Sequence, residues 1–114
     1  MSTIPAFASV AETGEDSPTA TASVLDFLQR YPAVAQLLQE AEDPLRTAFG
    51  PDVTLTLAIE SDPEIPSWEY LVASIHTLYA AKEAHARLQA FDETWWLGQT
   101  PRAQDKLLFD LNVL

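Results

Sequence analysis

The chain has 114 residues, of which 47% are hydrophobic, and this is enough for one globular domain but too few for two. Its net charge of −11 argues against direct binding to nucleic acid or anionic lipid, because both need a basic protein surface. Cysteine is absent, which excludes a disulfide scaffold and a thiolate metal site and fits a cytoplasmic protein.

The N-terminal segment differs in composition from the rest of the chain. Residues 1–22 are rich in Ala, Ser, Thr and Pro and contain neither Lys nor Arg. Such a segment buries too little apolar surface to offset the entropy of the chain, so we expect a disordered or loosely attached tail. A single domain over residues 23–114 follows it. We expect no signal peptide, and no apolar run approaches the ~20 residues of a membrane span.

Two helices are expected at the start of the domain. A short helix is predicted over residues 23–30, and Pro32 suits the first turn of a second helix, where the missing N–H leaves no hydrogen bond unmade. Apolar residues then recur with the helical period. We expect Pro44 to kink or split this second helix and Gly50-Pro51 to end it.

Three later segments alternate apolar and polar residues and therefore predict strands, at 53–59, 69–76 and 106–113. An apolar stripe predicts a helix over 80–97, with Gly98 as its stop. The first two strands are expected to be antiparallel. The helical crossover makes the third strand parallel to the second, and we expect it to lie beside the first, giving the order 2-1-3.

Together these elements predict an α+β fold with N-terminal helices, then a β-hairpin, a helix and a last strand. The expected sheet has three strands, is mainly antiparallel and has helices on one face. Its other face carries Tyr70, Val72 and Leu108, which is more apolar than ordinary solvated surface. We expect a partner, a second copy of the chain or the N-terminal tail to cover this face.

Two adjacent tryptophans, Trp95 and Trp96, end the predicted long helix. Neighbouring helical positions lie about 100° apart, so Trp95 continues the apolar stripe while Trp96 points elsewhere. Trp96 is expected either to pack under the segment 98–104 or the sheet edge, or to lie in an interface, because aromatic residues are enriched at binding hot spots.

The motif around these tryptophans resembles a family of small, acidic, uncharacterised bacterial proteins. In that family an Asp-Pro-Glu loop joins two strands, and a helix ends in Phe-Asp-x-x-Trp-Trp-Leu before Pro-Arg and a last strand. The matching residues here are Asp62-Pro63-Glu64, Phe91-Asp92, Trp95-Trp96-Leu97 and Pro101-Arg102. The resemblance covers the C-terminal half of the chain and carries no established activity. The family's Ser-Pro-Glu-Glu helix start is replaced by Ala-Ala-Lys-Glu at 80–83, which removes an N-cap worth typically ~1 kcal/mol.

Few residues suggest catalysis or metal binding. The histidines, His76 and His85, have no partner at metal-ligand spacing, and the acids of the segment 60–64 lack the order of a calcium-binding EF-hand. The sequence contains neither a nucleophile elbow nor a phosphate-binding glycine loop. We therefore expect a protein that is not an enzyme and that has no metal or cofactor.

The charge distribution favours a small protein-interaction domain. From Glu40 to Glu69 there are eight acids and one basic residue, a local charge of −7, which suits a larger basic protein partner. An antitoxin-like or immunity-like neutraliser, which blocks a basic groove, is one form of this hypothesis. The predicted contact residues are Trp96, Trp68, Tyr70, Glu60, Asp62 and Glu64.

Two alternatives to this hypothesis stay open. A homo-oligomeric structural protein, such as a homodimer, would bury the uncovered sheet face between copies. A ligand-binding or enzymatic α+β domain would place a pocket between Trp68, Tyr70 and the final helix. The negative charge also serves simply to keep a small domain in solution, so charge alone does not decide among these classes.

Overall fold

The computed structural model describes residues 7–10, 17–65 and 67–112. The strands are β1 (Ala8–Val10), β2 (Thr54–Ser61), β3 (Glu69–His76) and β4 (Leu107–Asn112). The helices are α1 (Ser17–Arg30), α2 (Pro32–Phe49), α3 (Ala81–Phe91) and α4 (Leu97–Ala103), and a π-helical turn, Asp92–Trp96, joins α3 to α4. The predicted α+β class is confirmed.

The strands form one mixed sheet in the order β1-β2-β3-β4. β2 and β3 are an antiparallel hairpin, whereas β1 runs parallel to β2 and β4 runs parallel to β3. The prediction of three mainly antiparallel strands is therefore wrong in strand count and in orientation, although β4 does run parallel to β3 as expected. The expected order, in which the last strand lies beside the first strand of the hairpin, is also wrong. In the structure β1 pairs with that edge of β2, and β4 pairs with the free edge of β3.

The extra strand comes from the segment that its composition assigned to the tail. Phe7 is buried, and its carbonyl accepts the N–H of Leu55 at 3.1 Å. Ala8 and Val10 lie opposite Leu55 and Leu57 in the sheet. A strand of three residues is too short to stand out from a polar segment. Residues 1–6 and 11–16, which share the predicted disorder, lie outside the described residues.

Helix α2 runs unbroken through its internal proline. It begins at Pro32 as predicted and ends at Phe49, after which the N–H of Gly50 donates to the carbonyl of Arg46 at 2.8 Å. Pro44 does not split the helix. An interior proline costs ~3 kcal/mol, whereas each buried leucine contributes ~1.5–3 kcal/mol, so the buried face of α2 outweighs the proline. That face consists of Val34, Leu37, Leu38, Ala41, Leu45 and Phe49.

The core lies between the helices and one face of the sheet. Period-two alternation in the sequence predicts that one set of strand residues faces this core, namely Val53, Leu55, Leu57 and Ile59 in the first hairpin segment and Leu71, Ala73 and Ile75 in the second. All of these are buried except Ile59, which is half-buried and packs against the others. The period-two alternation therefore assigned the two faces of the hairpin correctly.

The helix after β3 does not stop at Gly98. It widens into the π-helical turn over 92–96 and continues as α4, whose last residue is Ala103. A π turn contains one more residue than an α turn. In an α-helix the residue at i+4 lies on the same side as residue i, whereas in a π turn the residue at i+5 does. Trp96 therefore lies on the same side as Phe91 and is buried, while Trp95 is half-buried.

Two contacts fix this helical segment in place. The rings of Phe91 and Trp96 meet the ring of Phe109 on β4 edge-on, with centroids 5.3 and 4.8 Å apart. At the other end of α4, Arg102 forms a bidentate ion pair with Glu40 on α2, with N–O distances of 2.8 and 3.0 Å. These hydrogen bonds lower the pKa of Glu40. Helix α3 starts after Ala80 without a side-chain cap, as the sequence predicts.

The first prediction tests whether the buried side chain of Phe7 anchors β1 to the domain. Phe7→Ala should destabilise the domain by ~3–5 kcal/mol, because it removes a buried ring and leaves a cavity. Ser9→Ala, two residues further on in β1 and exposed, is the matched control and should be close to neutral. Thermal unfolding of the full chain measures both. Equal melting temperatures for the two variants would contradict the observed docking of β1.

The second prediction concerns the carboxylate at the start of the π turn. Burial, and secondarily the charge of Glu93, raise the pKa of Asp92, so its ionised form is less stable in the folded chain than in the unfolded chain. At low pH Asp92 is protonated and this cost is absent. The free energy of unfolding falls as pH rises through the raised pKa of Asp92. Asp92→Asn should therefore raise the melting temperature at pH 7, with the gain vanishing at acidic pH. Asp43→Asn, exposed on α2, is the control and should show no such gain.

Candidate functional site

One face of the sheet is left open. None of the residues on this face is buried, so within ranges 7–10, 17–65 and 67–112 no helix covers it. Its members are Ser9 on β1, Thr54, Thr56, Ala58 and Glu60 on β2, Tyr70, Val72, Ser74 and His76 on β3, and Leu108, Asp110 and Asn112 on β4. We call this surface the open face. It contains two of the predicted contact residues, Tyr70 and Glu60, in directly opposed positions.

The open face changes in character along the strands. Next to the Glu60–Tyr70 pair lies an apolar row, in which Val72 sits between Ala58 and Leu108. Leu108 is 48% exposed, so about half of this apolar side chain lies on the surface of the described part of the chain. The following rows carry hydroxyl, carboxylate, imidazole and amide groups. The open face is thus apolar toward the hairpin loop and polar toward the opposite end.

The loop between β2 and β3 extends the apolar end. Ile65 is 55% exposed and Trp68 is 38% exposed. The carboxylate of Asp62 accepts the N–H groups of Glu64 and Ile65, at 2.7 and 3.1 Å, and the N–H of Asp62 donates to the carbonyl of Trp68 at 3.0 Å. Asp62 therefore shapes the loop, while Glu60 and Glu64 are exposed acids at its two sides.

Trp68 is held by a lysine that the sequence gave no reason to select. The Lys106 ammonium lies 3.5 Å from the centroid of the Trp68 ring and 5.0 Å from that of Tyr31, and it donates to the carbonyl of Glu69 at 3.0 Å. Lys106 is buried, so the two rings and the carbonyl replace water around its charge. This contact fixes the indole beside the start of β3.

Of the two positions that the sequence left open for Trp96, packed inside the domain or exposed in an interface, the structure has the first. Trp96 packs inside against Phe109 and is 8% exposed, so it does not belong to the open face. The predicted contact residues therefore divide. Trp68, Tyr70, Glu60 and Glu64 come together at one end of the sheet, Asp62 supports the loop between them, and Trp96 belongs to the core.

The acidic middle of the chain divides in the same way. Glu40 pairs with Arg102, Glu42 pairs with Arg46 at 2.7 Å, and Glu69 lies 3.8 Å from Arg30. Asp62 is engaged by the loop. Apart from Asp62, four acids of the segment have no ion pair with any described residue, and these are Asp43, Asp52, Glu60 and Glu64. The charge offered to a partner is therefore more local than the sequence implied.

A cavity of about 460 Å³ opens at the polar end of the open face. It is lined by the segments 49–54 and 76–79 and by Asn112. The alternative that placed a pocket between Trp68, Tyr70 and the final helix is not matched, because this cavity lies at the opposite end of β3. No sequence pattern signalled it, since its walls come from the end of α2, the start of β2, the loop after β3 and the end of β4.

Hydrogen bonds and a stacked cation order the walls of this cavity. The Nε2 atom of His76 is hydrogen-bonded to the hydroxyl of Thr56. The Arg87 guanidinium lies 3.9 Å from the centroid of the Tyr79 ring and donates to the carbonyl of Ala48 at 2.9 Å. Arg87 thus connects the end of α2, helix α3 and the loop after β3, and the cavity is preformed.

Other sites that the sequence raised find no support in the described ranges. Across residues 7–10, 17–65 and 67–112, no three His, Asp or Glu side chains are grouped so that they could hold a metal ion. No helix among the same residues is long and apolar enough to cross a bilayer.

Comparison of the chain with protein-family models, with curated proteins and with solved structures found no match. The resemblance of the C-terminal half to small acidic bacterial proteins therefore stays an expectation that rests on its motif. Function has to be argued from the open face and the cavity.

The third prediction separates support from binding in the hairpin loop. Asp62→Ala should lower the free energy of unfolding by ~1–3 kcal/mol, because two backbone N–H groups lose their acceptor. Glu64→Ala should have little effect, since that side chain is exposed and its own N–H remains bonded to Asp62. Urea unfolding measures both. A neutral Asp62→Ala would show that its carboxylate does not shape the loop.

Proposed function

We propose that this chain is a small, non-catalytic protein-interaction domain that binds a larger, basic protein through the open face. The observation that carries the proposal is the apolar row Ala58–Val72–Leu108 on the open face, at the end of the sheet where the hairpin loop carries the exposed side chains of Ile65 and Trp68. Exposed apolar surface of this kind, bordered by polar groups, is typical of an interaction site. An apolar centre with a charged rim is also the usual composition of a protein interface.

The chemistry of the partner follows from the rim. Glu60 and Glu64 are exposed and unpaired among the described residues, and Asp110 is exposed in the row beyond Leu108. These carboxylates attract a basic surface during diffusional encounter, and the net charge of −11 strengthens the attraction over longer distances. A neutraliser of a basic groove, antitoxin-like or immunity-like, is the most specific form of this proposal.

A homodimer is the second candidate, because a second copy would also bury Leu108. It is disfavoured by charge, since two chains that each carry −11 repel each other and the same carboxylates would meet across the interface. Sedimentation of the full chain decides between the two. A dimer that becomes monomeric in the Leu108→Ser variant would replace the basic-partner proposal by homo-oligomerisation.

The fourth prediction is kinetic and uses the partner obtained by affinity purification from the native host. Glu60→Gln/Glu64→Gln should slow association and weaken its salt dependence, because charge attraction is screened as the Debye length falls from ~10 Å at 0.1 M salt to ~3 Å at 1 M. Asp43→Asn/Glu93→Gln makes the same change in net charge on the helical side and should affect association less.

The apolar anchor is tested in the same assay. Leu108→Ser should accelerate dissociation roughly tenfold, since a centrally placed apolar contact chiefly governs the off-rate. Leu108 is a cleaner choice than Trp68, whose loss would also expose the charge of Lys106. A partner whose on-rate ignores salt and whose off-rate ignores Leu108→Ser would contradict binding through the open face.

A further inference from the structure

The cavity beside the open face has the position of a ligand site. β3 and β4 are parallel, and their last residues, His76 and Asn112, both line it. Crevices outside the carboxyl ends of parallel strands are where open α/β sheets bind ligands. Its volume of about 460 Å³ falls in the range of small-molecule pockets, which is roughly 300–1,000 Å³.

The charges around the cavity favour a cation. Asp52 is the only charged residue among the described residues that line it, and the nearby Arg87, stacked on the Tyr79 wall, is paired with Glu83 at 3.7 Å. The net charge of −11 adds a negative potential over the whole surface, so an anionic ligand would be repelled.

The remaining wall is apolar and aromatic. Phe49 and Val53 are buried behind it, and Tyr79 is held in place by Arg87. Leu78 also lines the cavity and is 88% exposed, so its side chain is free to pack against a bound ligand. An apolar stem in the cavity would remove this leucine from water.

Polar atoms complete the site. Thr54 and Asn112 line the cavity, and their side chains contain hydrogen-bond acceptors, as an ammonium group with three donors requires. In His76, Nε2 is engaged by Thr56, while Nδ1 has no hydrogen-bond partner among the described residues. The acceptors and the single carboxylate therefore lie around one apolar space.

We propose that this cavity binds an organic cation, an ammonium group on an apolar stem, with Asp52 as its counter-ion. The stem lies against Phe49, Leu78 and Tyr79, and the ammonium is directed to the polar side of the cavity. The same chemistry is offered by a free amine and by the lysine side chain of a bound protein. The site is separate from the protein–protein contact proposed above, because it needs neither Leu108 nor the hairpin loop.

The test is a titration of the full chain, followed by amide chemical shifts in two-dimensional NMR spectra. The probes share one phenyl stem and differ in head group: phenethylammonium is cationic, 2-phenylethanol is neutral and 3-phenylpropionate is anionic. We expect phenethylammonium to shift the amides of segments 49–54 and 76–79, with an affinity at least tenfold above that of the alcohol. N-acetyl-lysine methylamide in a parallel titration reports whether a lysine side chain is also accepted.

Two variants make the outcome decisive. Asp52→Asn should weaken phenethylammonium binding by about tenfold and leave the alcohol unchanged, while Asp43→Asn, an exposed acid outside the cavity, should change neither. Leu108→Ser should also leave amine binding intact, so failure of the protein-binding proposal would not affect this one. Equal affinity for amine and alcohol, equal binding by Asp52→Asn, or no shift with any amine would overturn the proposal.

Discussion

The contact of Phe109 with Phe91 and Trp96 is the interaction on which the arrangement of the molecule depends. It attaches the last strand to the crossover helix, and so it holds β4 beside β3 rather than at another edge. With β4 in that position, Leu108 completes the apolar row of the open face and Asn112 reaches the cavity. Both candidate sites are therefore consequences of three aromatic rings that lie on the opposite side of the sheet.

The sequence predicted the parts of the fold that follow a simple period. β3 was placed at 69–76, and its buried residues were assigned correctly, because alternation with a period of two survives in a half-buried strand. The start of α2 was also correct, because Pro32 is compatible with only a few backbone positions.

The failures also have physical causes. A π turn depends on a hydrogen-bond pattern that no residue type marks, so the inward position of Trp96 could not be derived from a 100° step. β1 was missed because three residues carry too little period to recognise, and its presence changed the order of the whole sheet. Residues far apart in the chain line the cavity and surround Lys106. The spacing of residues along a sequence carries no information on such contacts.

The burial of Lys106 has a practical consequence for attaching this protein to a surface. The chain contains two lysines, and Lys82 is the exposed one, on α3. Of the two lysines, amine-reactive reagents will therefore modify Lys82, while Lys106 is shielded by Trp68, Tyr31 and the carbonyl of Glu69. Because α3 packs behind the sheet, molecules coupled through Lys82 to a biosensor chip present the open face to the flowing solution.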